Sequence, residues 1–165
     1  MTELAPKTIA ESAVILSEII LPAHTNALGN AHGGELLKIM DSAAGACAVK
    51  YSRSIVVTAG VDNVNFYAPV FLGNLVICHA HLTCVSNRSM EIAVNIDAED
   101  MLQGTRQCCM TAYFILVALD QTTMTPKPIP QLDLQNEAER QEFAAGQLRM
   151  QERKKNPRVC WLPLY

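Results

Sequence analysis

The sequence predicts an α+β fold in which one antiparallel sheet wraps around a single long central helix, with a second helix at the C-terminus. Three observations predict it. One helical segment, over 34–51, is apolar and rich in small residues. Long, almost uncharged β-branched segments follow it, and the end of the chain, 136–155, is charged and helix-prone.

Taken in order, residues 1–13 are polar and read as loose, and the β-branched run 13–21 reads as a strand stopped by Pro22, whose ring removes the N–H. A loop carrying His24 and His32 then leads into the helix. Leu36, Leu37, Ile39, Met40, Ala43, Ala44, Ala46, Cys47 and Ala48 place apolar surface on most sides of it, so it is expected to be buried nearly all round. The small residues Ala43, Ala44, Gly45, Ala46 and Ala48 would let a sheet approach its axis.

From Ser54 to Asn87 the only formally charged residue is Asp62. Segments 55–64, 66–71 and 75–85 read as strands that need cover on much of their surface, with a bend near Pro69 and a turn at Gly73-Asn74. Segment 89–98 alternates: Met90, Ile92, Val94 and Ile96 mark a core face, and Glu91, Ala93, Asn95 and Asp97 a wetter one. After a turn at Gln103-Gly104, the apolar run 108–119 reads as a strand from the sheet centre. Pro126, Pro128 and Pro130 imply an extended linker. Phe143, Leu148 and Met150 are too few for a deep face, so 136–155 is expected to be a surface helix or arm. The expected organisation is a flexible 1–12, a single domain over 13–132, and a helical arm and tail over 133–165.

With 165 residues, 50% of them hydrophobic, the chain is long enough for one cored domain, and its net charge of -3 offers no nucleic-acid footprint. The six cysteines (Cys47, Cys78, Cys84, Cys108, Cys109 and Cys160) form no C-x-x-C pair, so reduced thiols are expected rather than zinc or a disulfide framework. No basic, apolar leader and no bilayer-length apolar run is visible; a cytoplasmic protein with no membrane partner is expected.

The chemistry concentrates between Asn26 and Asp41. Gly33-Gly34 at a helix start leaves backbone N–H groups bare where the helix dipole favours an oxygen gaining negative charge. Asp41, two turns on, is expected to share that face and to be desolvated, so its ionised form would be disfavoured. Asn26 offers both an acceptor and a donor, while Asn26 with Gly29 also fits an ordinary turn. His79 and His81 lie on one strand face in a metal-like pair with no third ligand, so no metal site is expected.

Several ordered blocks resemble a known family. They are Leu21-Pro22 with Asn26 and Gly29, His32-Gly33-Gly34 with Met40-Asp41, Val57-Thr58-Ala59 with Val61-Asp62 and Phe66, Ser86 through Ile92, Val117-Ala118-Leu119, and Pro130-Gln131-Leu132 before the charged helix. Over 19–155 the chain resembles the hot-dog-fold acyl-CoA thioesterases, in particular the cytosolic long-chain type and its single-domain bacterial relatives. The resemblance implies paired subunits with continuous sheets, assembled as a trimer of dimers, and fatty acyl-CoA hydrolysis. It implies that Asn26 of one subunit meets Asp41 of its partner. In that frame Asn26 and Asp41 are the catalytic candidates and Gly33 and Gly34 bind the carbonyl. His32, Thr58, Ser86, Asn87, Arg88 and Ser89 are candidate CoA contacts. No cofactor is implied, coenzyme A being part of the substrate. Asp41 is expected to activate water or to attack directly through an anhydride. The rival readings are another acyl-thioester chemistry, dehydration or hydration with a His paired to an acid, and an acyl-CoA-binding protein without catalysis.

Overall fold

The computed structural model describes residues 4–155. The described chain runs β1 (Val14–Ile19), a 3-10 turn (Pro22–His24), α1 (Gly33–Ser52), β2 (Ile55–Phe66), β3 (Leu75–Val85), β4 (Ser89–Asp100), β5 (Thr105–Leu119) and α2 (Glu137–Lys155). The strands form one antiparallel sheet in the order β1-β3-β4-β5-β2.

α1 lies on the inner face of this sheet. Leu36, Met40, Ala43, Ala44, Cys47, Ala48 and Tyr51 recur at helical spacing and are buried against Val76, Cys78, Leu82, Met90, Ile92, Ile96, Phe114 and Leu116. The expectation of a helix buried on all sides is corrected: Lys38, Asp41, Ser42, Val49 and Lys50 are exposed. One sheet covers one stripe of a helix, and among the described residues nothing covers the other. A Cβ placed on Gly45 would meet no atom within 4 Å.

β2 is an edge strand. Ile55, Val57, Val64 and Phe66 are exposed on it among the described residues, so the cover expected for these nearly uncharged strands is incomplete there. The expected strand 66–71 does not form beyond Phe66. Pro69 has no N–H to donate, and the segment is instead pinned by Ala31 N–H to the Val70 carbonyl at 2.7 Å and by an Asn30–Phe71 bridge. β5 is flanked on both sides as expected, while the middle of the sheet is β4.

The outer face departs most from expectation. α2 is not a free arm: Glu142 meets His81 of β3 at 3.0 Å, Arg149 stacks 4.0 Å over the Tyr113 ring of β5, and Arg153 pairs with Asp62 of β2. Gly146 is required at the crossing, where a Cβ would come within 2.5 Å of the Cys84 Cβ. Glu91, expected on the wetter face, is completely buried beneath α2. The start of the chain is also packed rather than loose from Lys7 on: Lys7 bridges to Leu132, its Nζ donates to the Tyr51 carbonyl at 2.7 Å, and Ile9 and Ser12 are buried. Cys47, Cys78, Cys84, Cys108 and Cys109 are free thiols, and burial pushes Cys47 up to about 11 and Cys78 up to about 12. Cys160 lies outside the described residues.

Candidate active site

The loop before α1 is built by Asn26. Its Oδ1 accepts the Leu28 N–H at 2.9 Å and the Asn30 N–H at 3.3 Å, and Gly29, at φ +78°, donates its N–H to the Asn26 carbonyl. That left-handed residue is where the chain reverses, a conformation glycine adopts without strain. The turn uses up the oxygen of the Asn26 amide, so the acceptor expected to orient water is spent. What remains is the Nδ2 donor.

His32 caps α1, its Nδ1 accepting the Gly34 N–H at 3.0 Å. The expected pair of carbonyl-binding amides is therefore corrected to one: Gly34 is engaged, and among the described residues Gly33 keeps an N–H with no partner. Gly33, Asn26, Asn30, Leu36, Phe66 and Val70 line a cavity of about 430 Å³. A Cβ on Gly33 would stand 3.2 Å from the Phe66 ring, so only glycine leaves that mouth unobstructed. Phe66 belongs to the resemblance but was not singled out as a site residue. Its signal is an aromatic at the end of a strand whose one charge is Asp62.

Asp41 is not in this cavity. It stands eight residues along α1 from Gly33, about 12 Å at 1.5 Å per residue, and its Oδ1 accepts the Thr58 Oγ1–H at 2.7 Å. It is exposed, not desolvated, because it lies one residue off the stripe that faces the sheet. Thr58, expected to contact CoA, gives its hydroxyl hydrogen bond to the acid. Replacing it with valine, which keeps the shape and removes the donor, should lower kcat about tenfold with KM little changed, read by thiol release, because hydrogen bonds to charged groups contribute about 1.5–3 kcal/mol.

Ser86-Asn87-Arg88-Ser89 is the β3–β4 hairpin. The Ser86 and Ser89 hydroxyls bond each other at 2.7 Å, and the Asn87 and Arg88 carbonyls accept from Ile129 and Ala118. The two serines are thus committed to the turn, while the Asn87 and Arg88 side chains are exposed. Ser89 pairs with Val117 and Val117 with Val57, so the hairpin lies two strand spacings, about 10 Å, from the strand that carries Thr58. Arg88 therefore stands at the same end of the sheet as the Asp41–Thr58 pair. His79 Nε2 accepts from the Arg106 guanidinium at 2.9 Å and His81 pairs with Glu142. No group of three metal-ligating side chains occurs among the described residues. The rival chemistry needs a His paired with an acid, and the His32 Nδ1 is held by backbone instead.

A five-stranded sheet around a helix whose start is a His-Gly-Gly turn beside an asparagine loop defines the hot-dog thioesterase class. Residues 28–105 match the thioesterase superfamily, and the chain belongs to it. An acyl-CoA thioester hydrolase of Bacillus subtilis described as uncharacterized is 30% identical over 148 residues, 90% of this chain and 86% of that one. The cytosolic acyl coenzyme A thioester hydrolase of Mus musculus is 34% identical over 143 residues, 86% of this chain but 37% of that protein, so the chain spans little more than a third of its length. A crystal structure of an apo-hexameric acyl-CoA thioesterase superposes with a TM-score of 0.89 at 30% identity, covering 95% of this chain and all of the other. The Staphylococcus aureus acyl-CoA hydrolase, solved with butyryl coenzyme A, coenzyme A and coenzyme A disulfide, gives 0.83 at 28% identity and 90% of each chain. Variants of that enzyme with one aspartate, one asparagine or one threonine changed to alanine have also been solved. Those three residues stand at the same spacing in their chain as Asn26, Asp41 and Thr58 do here.

Proposed function

We propose that the protein hydrolyses fatty acyl-CoA to a free fatty acid and coenzyme A at sites shared between two subunits. The observation that carries this is the split of the machinery: the donor cavity at Asn26 and Gly33 and the acid pair Asp41–Thr58 lie two turns apart on one helix, and each is incomplete alone. The acid lies on the exposed side of α1 beside β2, the last strand of the sheet, the surface a second copy would meet. Placing β2 beside its symmetry mate would make the two sheets continuous. The hexamer of the similar thioesterase supports assembly of such dimers in threes.

In the reaction, the thioester carbonyl oxygen accepts from Gly33 N–H and Asn26 Nδ2 of one subunit. Asp41 of the other, held through Oδ1 by Thr58, removes a proton from water with Oδ2 as the water oxygen attacks the carbonyl carbon. The tetrahedral intermediate collapses, the C–S bond breaks, and the coenzyme A thiolate leaves and takes up a proton. A thiol is a good leaving group, so the scheme calls for no cofactor; coenzyme A is substrate and product. The exposed guanidinium of Arg88, with Asn87 beside it, is the anchor for CoA phosphate. The name of the mouse relative, a cytosolic hydrolase, supports a cytoplasmic location.

The test is subunit mixing. Asn26→Ala and Asp41→Asn should each be inactive toward palmitoyl-CoA by thiol release. Unfolded and refolded together, they should recover about a quarter of wild-type turnover, since half the dimers pair unlike chains and each such dimer has one intact site. No recovery, with mixed dimers shown to form, overturns the shared site.

A further inference from the structure

We propose that His32 is a positioning residue: by accepting the Gly34 N–H at Nδ1, its neutral imidazole holds the first turn of α1 so that Gly33 alone presents its N–H to the substrate carbonyl. This rests on the hydrolase reading above. The imidazole ring is packed against the turn it caps, for a Cβ added to Gly34 would stand 3.1 Å from Nδ1 and 3.4 Å from Cε1. Accepting at Nδ1 places the ring proton on Nε2.

The cap is itself braced. The His32 N–H donates to the His24 carbonyl at 2.8 Å, and the His24 Nδ1 accepts the Leu21 N–H at 3.3 Å, tying the 3-10 turn to the helix start. The His32 carbonyl accepts from Glu35 at 2.9 Å and Leu36 at 3.3 Å. The first-turn amides after Gly33 are thereby all engaged. One donor is left over, in the wall of the cavity that holds Asn26. Nδ1 is thus committed to the backbone, and the ring's other nitrogen, Nε2, takes no part in the cap.

The expected result is a split in kinetic constants. His32→Ala should lower kcat about tenfold, less than the roughly 10²- to 10³-fold cost of removing an aimed donor outright because the Gly33 N–H is misaligned rather than lost, with KM within about twofold. His32→Asn should restore kcat to within about threefold, because an asparagine oxygen caps the same amide as well as any side chain. Hydrogen exchange over 34–36 should be slow in the wild type and His32→Asn, and faster in His32→Ala. If the alanine variant does not fold, His32→Gly, which also lacks the acceptor but is tolerated at helix starts, is read in its place. Raised KM with kcat kept would make His32 a CoA contact. Loss of kcat in His32→Asn equal to that in His32→Ala would make the imidazole itself the agent. Unchanged exchange at Gly34 would remove the cap. Each of these overturns the proposal. Asp41→Asn, assayed alongside, reports on the hydrolase reading separately, and the exchange measurement needs no turnover at all.

Discussion

Asp41→Asn should lower kcat about 10³-fold while leaving the fold intact. A positioned base contributes roughly 10²- to 10⁴-fold, and asparagine keeps the volume and an oxygen to accept from Thr58 while losing the ability to take a proton. Because Asp41 is exposed and off the core stripe, the substitution opens no cavity and leaves no buried group unpaired. Thermal unfolding should therefore be nearly unchanged. Thiol release from palmitoyl-CoA is the measurement, with KM as the control. Full turnover in this variant would end the water-activation mechanism.

The largest expected effect on stability lies on the other face of the sheet. Glu91 is completely buried and accepts from Thr83 Oγ1 at 2.7 Å, from Arg149 Nη2 at 2.7 Å and Nε at 3.0 Å, and from Arg153. Glu91→Ala removes the anion that two guanidinium groups share and leaves the Thr83 hydroxyl only its longer bond, 3.3 Å, to the carbonyl of residue 91. Breaking a buried pair costs about 3–5 kcal/mol, and since Arg149 and Arg153 keep some exposure and can rehydrate, the lower end, about 3 kcal/mol, is expected. Denaturant midpoints would measure it. The damage should spread, because Arg153 also holds Asp62 and so ties α2 to β2.

The same carboxylate sets a pH dependence. Burial pushes the Glu91 pKa up, but the hydrogen bonds from Arg149, Arg153 and Thr83 outweigh it and hold it below the ordinary value of 4.5. A carboxyl whose folded pKa is depressed stabilises the fold above its unfolded pKa and loses that contribution as pH falls through the folded value. The contribution is thus intact at neutral pH and declines below about 4.5. In Glu91→Gln that part of the acid-side decline should be missing.

The face of β4 that bears Glu91 shows why sequence pattern misplaced it. Period-two alternation assigns Met90, Ile92, Val94 and Ile96 to the core correctly, and it assigns Glu91, Ala93, Asn95 and Asp97 to the other side of the sheet, also correctly. It carries no information about whether a distant helix covers that side. α2 shows too few apolar residues to announce a buried face because its contact is made by Gly146, Arg149 and Arg153, residues whose role depends on what they meet. The same limit holds for α1, whose composition suited burial on all sides while one face is left for a neighbour.

The local chemistry was legible. Asn26, Gly29, His32 and the Gly33-Gly34 pair make their own turn and cap from neighbouring backbone, so their types and spacing largely determine their geometry. The order of elements, the single buried helix, the long strands and the charged last helix were likewise determined by periodicity and by where Pro and Gly interrupt it, since those signals act within a few residues. Tertiary structure alone decided that the Thr58 hydroxyl meets Asp41 and that Glu91 is buried under α2. Asp41 to Thr58 and Glu91 to Arg149 are contacts between residues far apart in the chain, and which distant groups meet depends on sheet order and helix crossing, which no local pattern records.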